Sequence, residues 1–186
     1  MLSFIGNIAK PIPLTVLAFF FSFYTWHLFP LYHHSLKEKT GTSYKTLDIT
    51  YGYDLEHVQS LFTSFGEEGR AIYWRIETEI DMIYPFIYNG LLIAFLFLLL
   101  GNLKPKWVKI CYLPFVSLVF DLGENLMVLT MLIVKPFYIN NLQVVLASLF
   151  TTIKLTVALG STLLVVVLLV LKSVFWIRSK TLSIND

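Results

Sequence analysis

Asp121, Glu124 and Asn125 stand at i, i+3 and i+4 inside an apolar run bounded by Lys109 and Lys135. In a helix that spacing brings two carboxyls and an amide onto one face. The 25 residues between the two lysines are enough to cross a bilayer, which takes about 20 helical residues. An ionised side chain at such depth costs roughly 2.5–3.5 kcal/mol on insertion scales, so two in one span need partners. Asp81 and Lys154 are ionisable residues in other apolar runs and are the obvious candidates. Arg70, Trp74, Glu77, Asp81, Tyr84 and Tyr88 follow at intervals of three or four. They make one helical stripe descending from an interface into apolar sequence.

Depth counting brings these groups together. Asp81 falls in the outer part of a second span ending at Leu100. Asp121 lies near the middle of a third, with Glu124 and Asn125 one turn further out, and Lys154 comes eleven residues after Gln143 in a fourth. His27 is near the outer end of a first span, so each of four helices is expected to offer a polar group to the outer half of a bundle. Lone pairs and charges in hydrocarbon require such convergence. Three carboxyls, Asp81, Asp121 and Glu124, then share one lysine and at most one histidine. Lys154 could neutralise Asp121 or Glu124 and do no more than hold helix register. The surplus acid must still be protonated, solvated or bound to an outside cation. Crowded carboxyls in low dielectric raise one another's pKa, as acid catalysts and proton carriers require.

Asp81, Asp121 and Glu124 are therefore the candidate acid–base or cation-binding groups, oriented by Asn125, Tyr84 and Lys154. Glu77, Arg70 and His27 extend the ligand-binding set; Arg70 and Glu77 could instead pair on their own helix or hold a lipid phosphate. His33-His34 cannot put both imidazoles on one helical face, and His57 belongs to the polar side of a short helix. No Gly-rich phosphate loop, metal-spaced His pair or Ser-His-Asp order is present in the chain, so the expected chemistry is proton transfer with no cofactor and no metal.

Composition sets the frame for that site. The chain has 186 residues, 56% hydrophobic, 16% aromatic and 14% charged, against about 25% charged in a soluble domain. A net charge of +2, without a dense basic cluster, gives no reason to expect nucleic acid. The single cysteine, Cys111, excludes an intrachain disulfide. The reading is one all-α membrane domain over 1–186, with spans at about 12–32, 78–100, 108–134 and 143–171.

An outward segment, 33–77, joins the first two spans. Within it Asp54 reads as a helix cap, and Leu55, Val58, Leu61, Phe62 and Phe65 recur at helical spacing. They make a short amphipathic helix that Gly66 stops, lying on the bilayer surface or capping the bundle. Thr40-Gly41-Thr42-Ser43 reads as loop, and Tyr44, Tyr51 and Tyr53 make the second half of the polar stretch aromatic, as expected at a membrane interface. Pro85 should kink the second span and free a backbone carbonyl beside Asp81. Gly160, Ser161 and Thr162 permit close approach of the last span. Lys10, Lys104, Lys106, Lys109, Lys172, Arg178 and Lys180 cluster in short flanks, which puts both termini in the cytoplasm of a bacterial inner membrane or organelle membrane.

Gly66-Glu67-Glu68-Gly69-Arg70, Asp81 with Tyr84-Pro85, Phe120-Asp121 with Glu124-Asn125, and Lys154 resemble the pattern of a family of small four-span bacterial membrane proteins. The match covers roughly residues 50–160 and carries no activity with it. In layout the chain is also similar to the EXPERA group, the sterol isomerase and sigma-2-receptor-like proteins. Those too bury acids beside a proline-bearing second helix. Their characteristic histidine-glutamate and tryptophan positions have no counterpart here. The resemblance implies acids that bind an amphiphile's cation or move a proton on a sterol. Three functions follow as expectations: a pocket that binds or acts on a membrane lipid or lipid-like amphiphile; a proton or cation path, which four spans would build as a homo-oligomer; or an accessory subunit of a membrane complex.

Overall fold

A chain that crosses hydrocarbon has to satisfy its backbone internally, and here helix does so throughout. The computed structural model describes residues 2–41, 45–101 and 105–182, among which there is no strand. Thr42, Ser43, Tyr44 and Lys104 lie outside the described residues. After α1 (Leu2–Ile8), α2 (Pro11–Phe23) runs through a π-helical turn, Tyr24–Leu28, into α3 (Phe29–Thr40). Then α4 (Leu55–Arg75) passes through a second π-helical turn, Ile76–Asp81, towards α5 (Tyr84–Leu100). A short α6 (Pro105–Val108) precedes α7 (Leu113–Ile133), and α8 (Asn141–Leu182) ends the described chain. Four stretches are long and apolar enough to cross a membrane: Pro11–Thr40, Leu55–Leu100, Lys109–Ile133 and Asn141–Arg178. This is the architecture of an all-α, four-span membrane protein.

The first span runs further than expected. Helix continues past residue 32, where a loop was foreseen, and stops at Gly41, whose φ of 71° gives a left-handed cap. The physical reason is Leu36, buried among Phe62, Phe65 and Tyr73, which rewards the extra turns with apolar contact.

The amphipathic segment behaves as its spacing requires. Asp54 Oδ1 accepts the His57 N–H at 2.8 Å, capping α4. At Gly66 the backbone takes φ 62° and ψ −166°, breaking α4 into two helical pieces. Val58, Leu61, Phe62 and Phe65 pack on Val128, Met131, Leu132, Val144 and Ala147, so the helix caps the bundle. Burying each such side chain away from water is worth roughly 1.5–3 kcal/mol. Tyr53 ties the preceding loop to α8: its N–H donates to Ser148 Oγ at 2.9 Å, and its hydroxyl meets Thr151 Oγ1 at 3.1 Å. Burial pushes the Tyr53 phenol up from its ordinary range.

Between α7 and α8 the approach is close: a Cβ added at Gly123 would lie 3.0 Å from the Phe150 ring. At the far end Leu96, Leu100, Val108, Cys111 and Val165 form a second apolar cluster. Helix α1 and the later turns of α8 meet α5 near there, since Gly6 approaches the Phe97 ring and Lys172 Nζ reaches Leu98 O at 3.5 Å. Span one is seated by Leu36 at one end and by Leu17 against Gly90, although no residue of α2 is buried. Between them the attachment is aromatic: Tyr84 stacks on Phe21 and Tyr24 at 5.9 Å and meets Phe29 edge-on at 4.9 Å.

Candidate functional site

The break in span two builds one wall of the site. Pro85 has no N–H to give the carbonyl four residues back, which is that of Asp81 itself. Asn125 Nδ2 from α7 donates to this carbonyl at 2.6 Å. The irregular backbone is thus satisfied by a side chain of the neighbouring span, the condition under which a break is tolerated in a membrane. The π-helical turn just before it rotates Glu77 and Asp81 inward together with Ile76 and Ile80, and all four are buried. Such turns often mark functional positions.

Lys154 is the hub. Its Nζ lies 2.8 Å from Asp121 Oδ1 and also pairs with Glu124 Oε2. The second pair is an ion pair without hydrogen-bond alignment. Asp121 takes a second charge-assisted donor, the Tyr88 hydroxyl, at 2.7 Å on Oδ2. Ser117 Oγ donates to Lys154 O at 3.1 Å and lies 3.0 Å from the Tyr88 hydroxyl. Asp121 is therefore well partnered as an anion, whereas Glu124 Oε1, Asp81 Oδ2 and both oxygens of Glu77 have no hydrogen-bond partner among the described residues. Four buried carboxyls, Glu77, Asp81, Asp121 and Glu124, stand around Lys154, the one buried basic side chain among the described residues.

This polar group opens onto a cavity of about 820 Å³ walled mainly by spans one, two and four, with Asp121 of span three and the Asp48 turn at one end. Asp48, Asp81, Tyr84, Tyr88, Asp121 and Lys154 make its polar end. Ala18 and Phe21 of α2, Leu92 and Phe95 of α5, and Ala158 and Val165 of α8 line the apolar remainder. The Tyr84 hydroxyl faces Thr25 Oγ1 at 3.0 Å, which holds the ring in the wall and joins it to span one.

Among the sequence candidates, Asp81, Asp121, Glu124, Asn125, Lys154 and Glu77 come together, and Tyr84 stands on the cavity wall beside them. His27 does not join them. It is exposed, against Phe23 at 5.3 Å, because the π-helical turn presents Tyr24 inward and Thr25 to the cavity instead. Arg70 neither pairs with Glu77 nor lines the cavity: its Nη2 donates to Leu132 O at 2.9 Å, near the end of α7. Trp74 is 36% exposed and leaves the stripe to Tyr73, which is fully buried one turn before Glu77.

Asp48 is the group that sequence spacing did not reveal. It sits in a 3-10 turn, Leu47–Ile49, where Leu47 is buried and its N–H donates to the Tyr73 hydroxyl at 3.0 Å. That bond lays the loop over the bundle and brings Asp48 to the cavity rim. The cue was a single apolar residue before an acid, which no periodicity could interpret. Among the described residues no group of three or more His, Cys, Asp or Glu side chains is arranged to hold a metal ion. Compared with family models, curated proteins and solved structures, the chain finds no match in any of the three.

Proposed function

We propose that the protein binds a lipid-like amphiphile, with the polar head at Asp81, Asp121 and Lys154 and the apolar part in the cavity between spans one and four. The observation that carries this reading is the cavity itself. It is large enough for a drug-sized ligand, which occupies about 300–1,000 Å³, and its carboxyls and lysine stand together at one end of a mostly apolar lining. Span one supports it, because α2 lines the cavity with no residue buried in the bundle, which leaves a side open to a ligand. Asp81 is the group best placed for acid–base work on that ligand, since it lines the cavity and keeps Oδ2 unpartnered. With both termini in the cytoplasm, the basic flanks favour a cavity facing the outer leaflet.

Native mass spectrometry of protein released from mild detergent tests the reading. The wild type should carry a co-purified amphiphile, and Ala158→Trp, which fills the cavity from α8, should lose it while keeping its helix content. Wild type and Ala158→Trp with the same bound mass, or no bound mass in either, would sink it. Acid-dependent proton flux in liposomes, abolished by Asp121→Asn, would favour a conducting path over a ligand pocket.

A further inference from the structure

Next to Asp81 lies Glu77, a carboxyl that the ligand reading leaves unused. Glu77 is fully buried, it is absent from the cavity lining, and neither of its carboxyl oxygens has a hydrogen-bond partner. Asp81 Oδ2, Glu124 Oε1 and Asn125 Oδ1 are buried and unpartnered as well. The bond from Asn125 Nδ2 to Asp81 O orients that amide: a flip would set oxygen against oxygen, so Oδ1 remains an acceptor. Ionised carboxylates and an amide oxygen only accept. Acceptors cannot satisfy one another until one of them carries a proton.

No donor among the described residues lies within hydrogen-bond reach of these oxygens. Within electrostatic reach of Glu77 are Tyr73 on its own helix, Asp81 on the same π-helical turn, Asp48 on the 3-10 turn, Glu124 on α7 and Lys154 on α8. Lys154 is committed to Asp121 and Glu124. The Tyr73 hydroxyl accepts from Leu47 N–H and makes no hydrogen bond to Glu77.

We propose that Glu77 is a proton-binding site: a neutral carboxylic acid near physiological pH, donating its O–H within the Asp81–Glu124–Asn125 group and storing a proton one helical turn from the cavity-lining Asp81. Passage of that proton breaks the O–H bond at Glu77 and forms one at Asp81, with the negative charge moving the opposite way. The assignment stands apart from the amphiphile, since Glu77 does not line the cavity.

Infrared spectroscopy of the chain in lipid nanodiscs tests it, reading the C=O stretch of a protonated carboxylic acid and its displacement in D2O. Near neutral pH the wild type should show that band. Glu77→Gln should lose it yet keep its helix content, because glutamine brings N–H donors and no charge. A wild type with no such band overturns the proposal, even if the variant fails to fold. So does a band that survives in Glu77→Gln, or one that disappears from the wild type on adding Na⁺ or Ca²⁺, which would assign the acceptors to a metal cation.

Discussion

Replacing Lys154 by methionine is the sharpest probe of the buried network. Methionine keeps the length of the side chain and removes the ammonium that Asp121 and Glu124 share. The two acids are not left alike. Asp121 retains the Tyr88 hydroxyl at 2.7 Å, while Glu124, fully buried, loses its only ion pair. Removing one partner of a buried pair typically costs about 3–5 kcal/mol, because a charge is left buried without compensation. At about 2–4 °C per kcal/mol for a chain of this size, that is a fall of roughly 6–20 °C in melting temperature. The penalty should come from the carboxylate that is left behind, not from a lost attraction. Lys154→Met combined with Glu124→Gln should then regain much of the loss, and acidification should partly rescue the single variant by protonating Glu124. Thermal unfolding in detergent micelles, followed by far-ultraviolet circular dichroism, measures all three. A single variant within about 1 kcal/mol of wild type would refute the reasoning. So would a double variant that falls as far as the single one.

Three further outcomes follow from the same structure. Asn125→Leu should cost about 1–3 kcal/mol by leaving the Asp81 carbonyl unpaired; adding Pro85→Ala should return part of it in the same melting assay, since alanine restores the missing N–H. Gly66→Ala should destabilise by about 1–3 kcal/mol, because φ 62° with ψ −166° is a region for glycine alone; protease sensitivity of the capping helix should rise with it. Burial raises the Tyr53 phenol, so the folded chain holds that proton more tightly than the unfolded one. Its contribution to stability is complete below about pH 10, the unfolded value, and is lost as pH rises above it. Tyr53→Phe should flatten this alkaline decline, read by pH-dependent melting.

Local pattern was enough for the spans, for the Asp54 cap, for the stop at Gly66 and for the shared face of Asp121, Glu124 and Asn125. Each depends on run length or on spacing along one helix, quantities a linear sequence contains. Pro85 also announced a freed carbonyl beside Asp81, because the missing N–H is a property of proline wherever it stands.

Rotation and loop placement were beyond that pattern. His27 lies inside the first π-helical turn, and Trp74 stands between the break at Gly66 and the second, so both face out where an unbroken helix would bring them in. Arg70 finds the end of α7 rather than its own neighbour Glu77, a choice set by where another helix stops. Asp48 reaches the site because Leu47 is buried and bonded to Tyr73 across 26 positions of chain. The sequence alone determined that charges would lie inside an apolar bundle, since burial at such depth follows from composition along each run. Only the tertiary structure decided which acid Lys154 neutralises and which remain without a donor, because that depends on distances between helices, and spacing along a single helix contains no such distance.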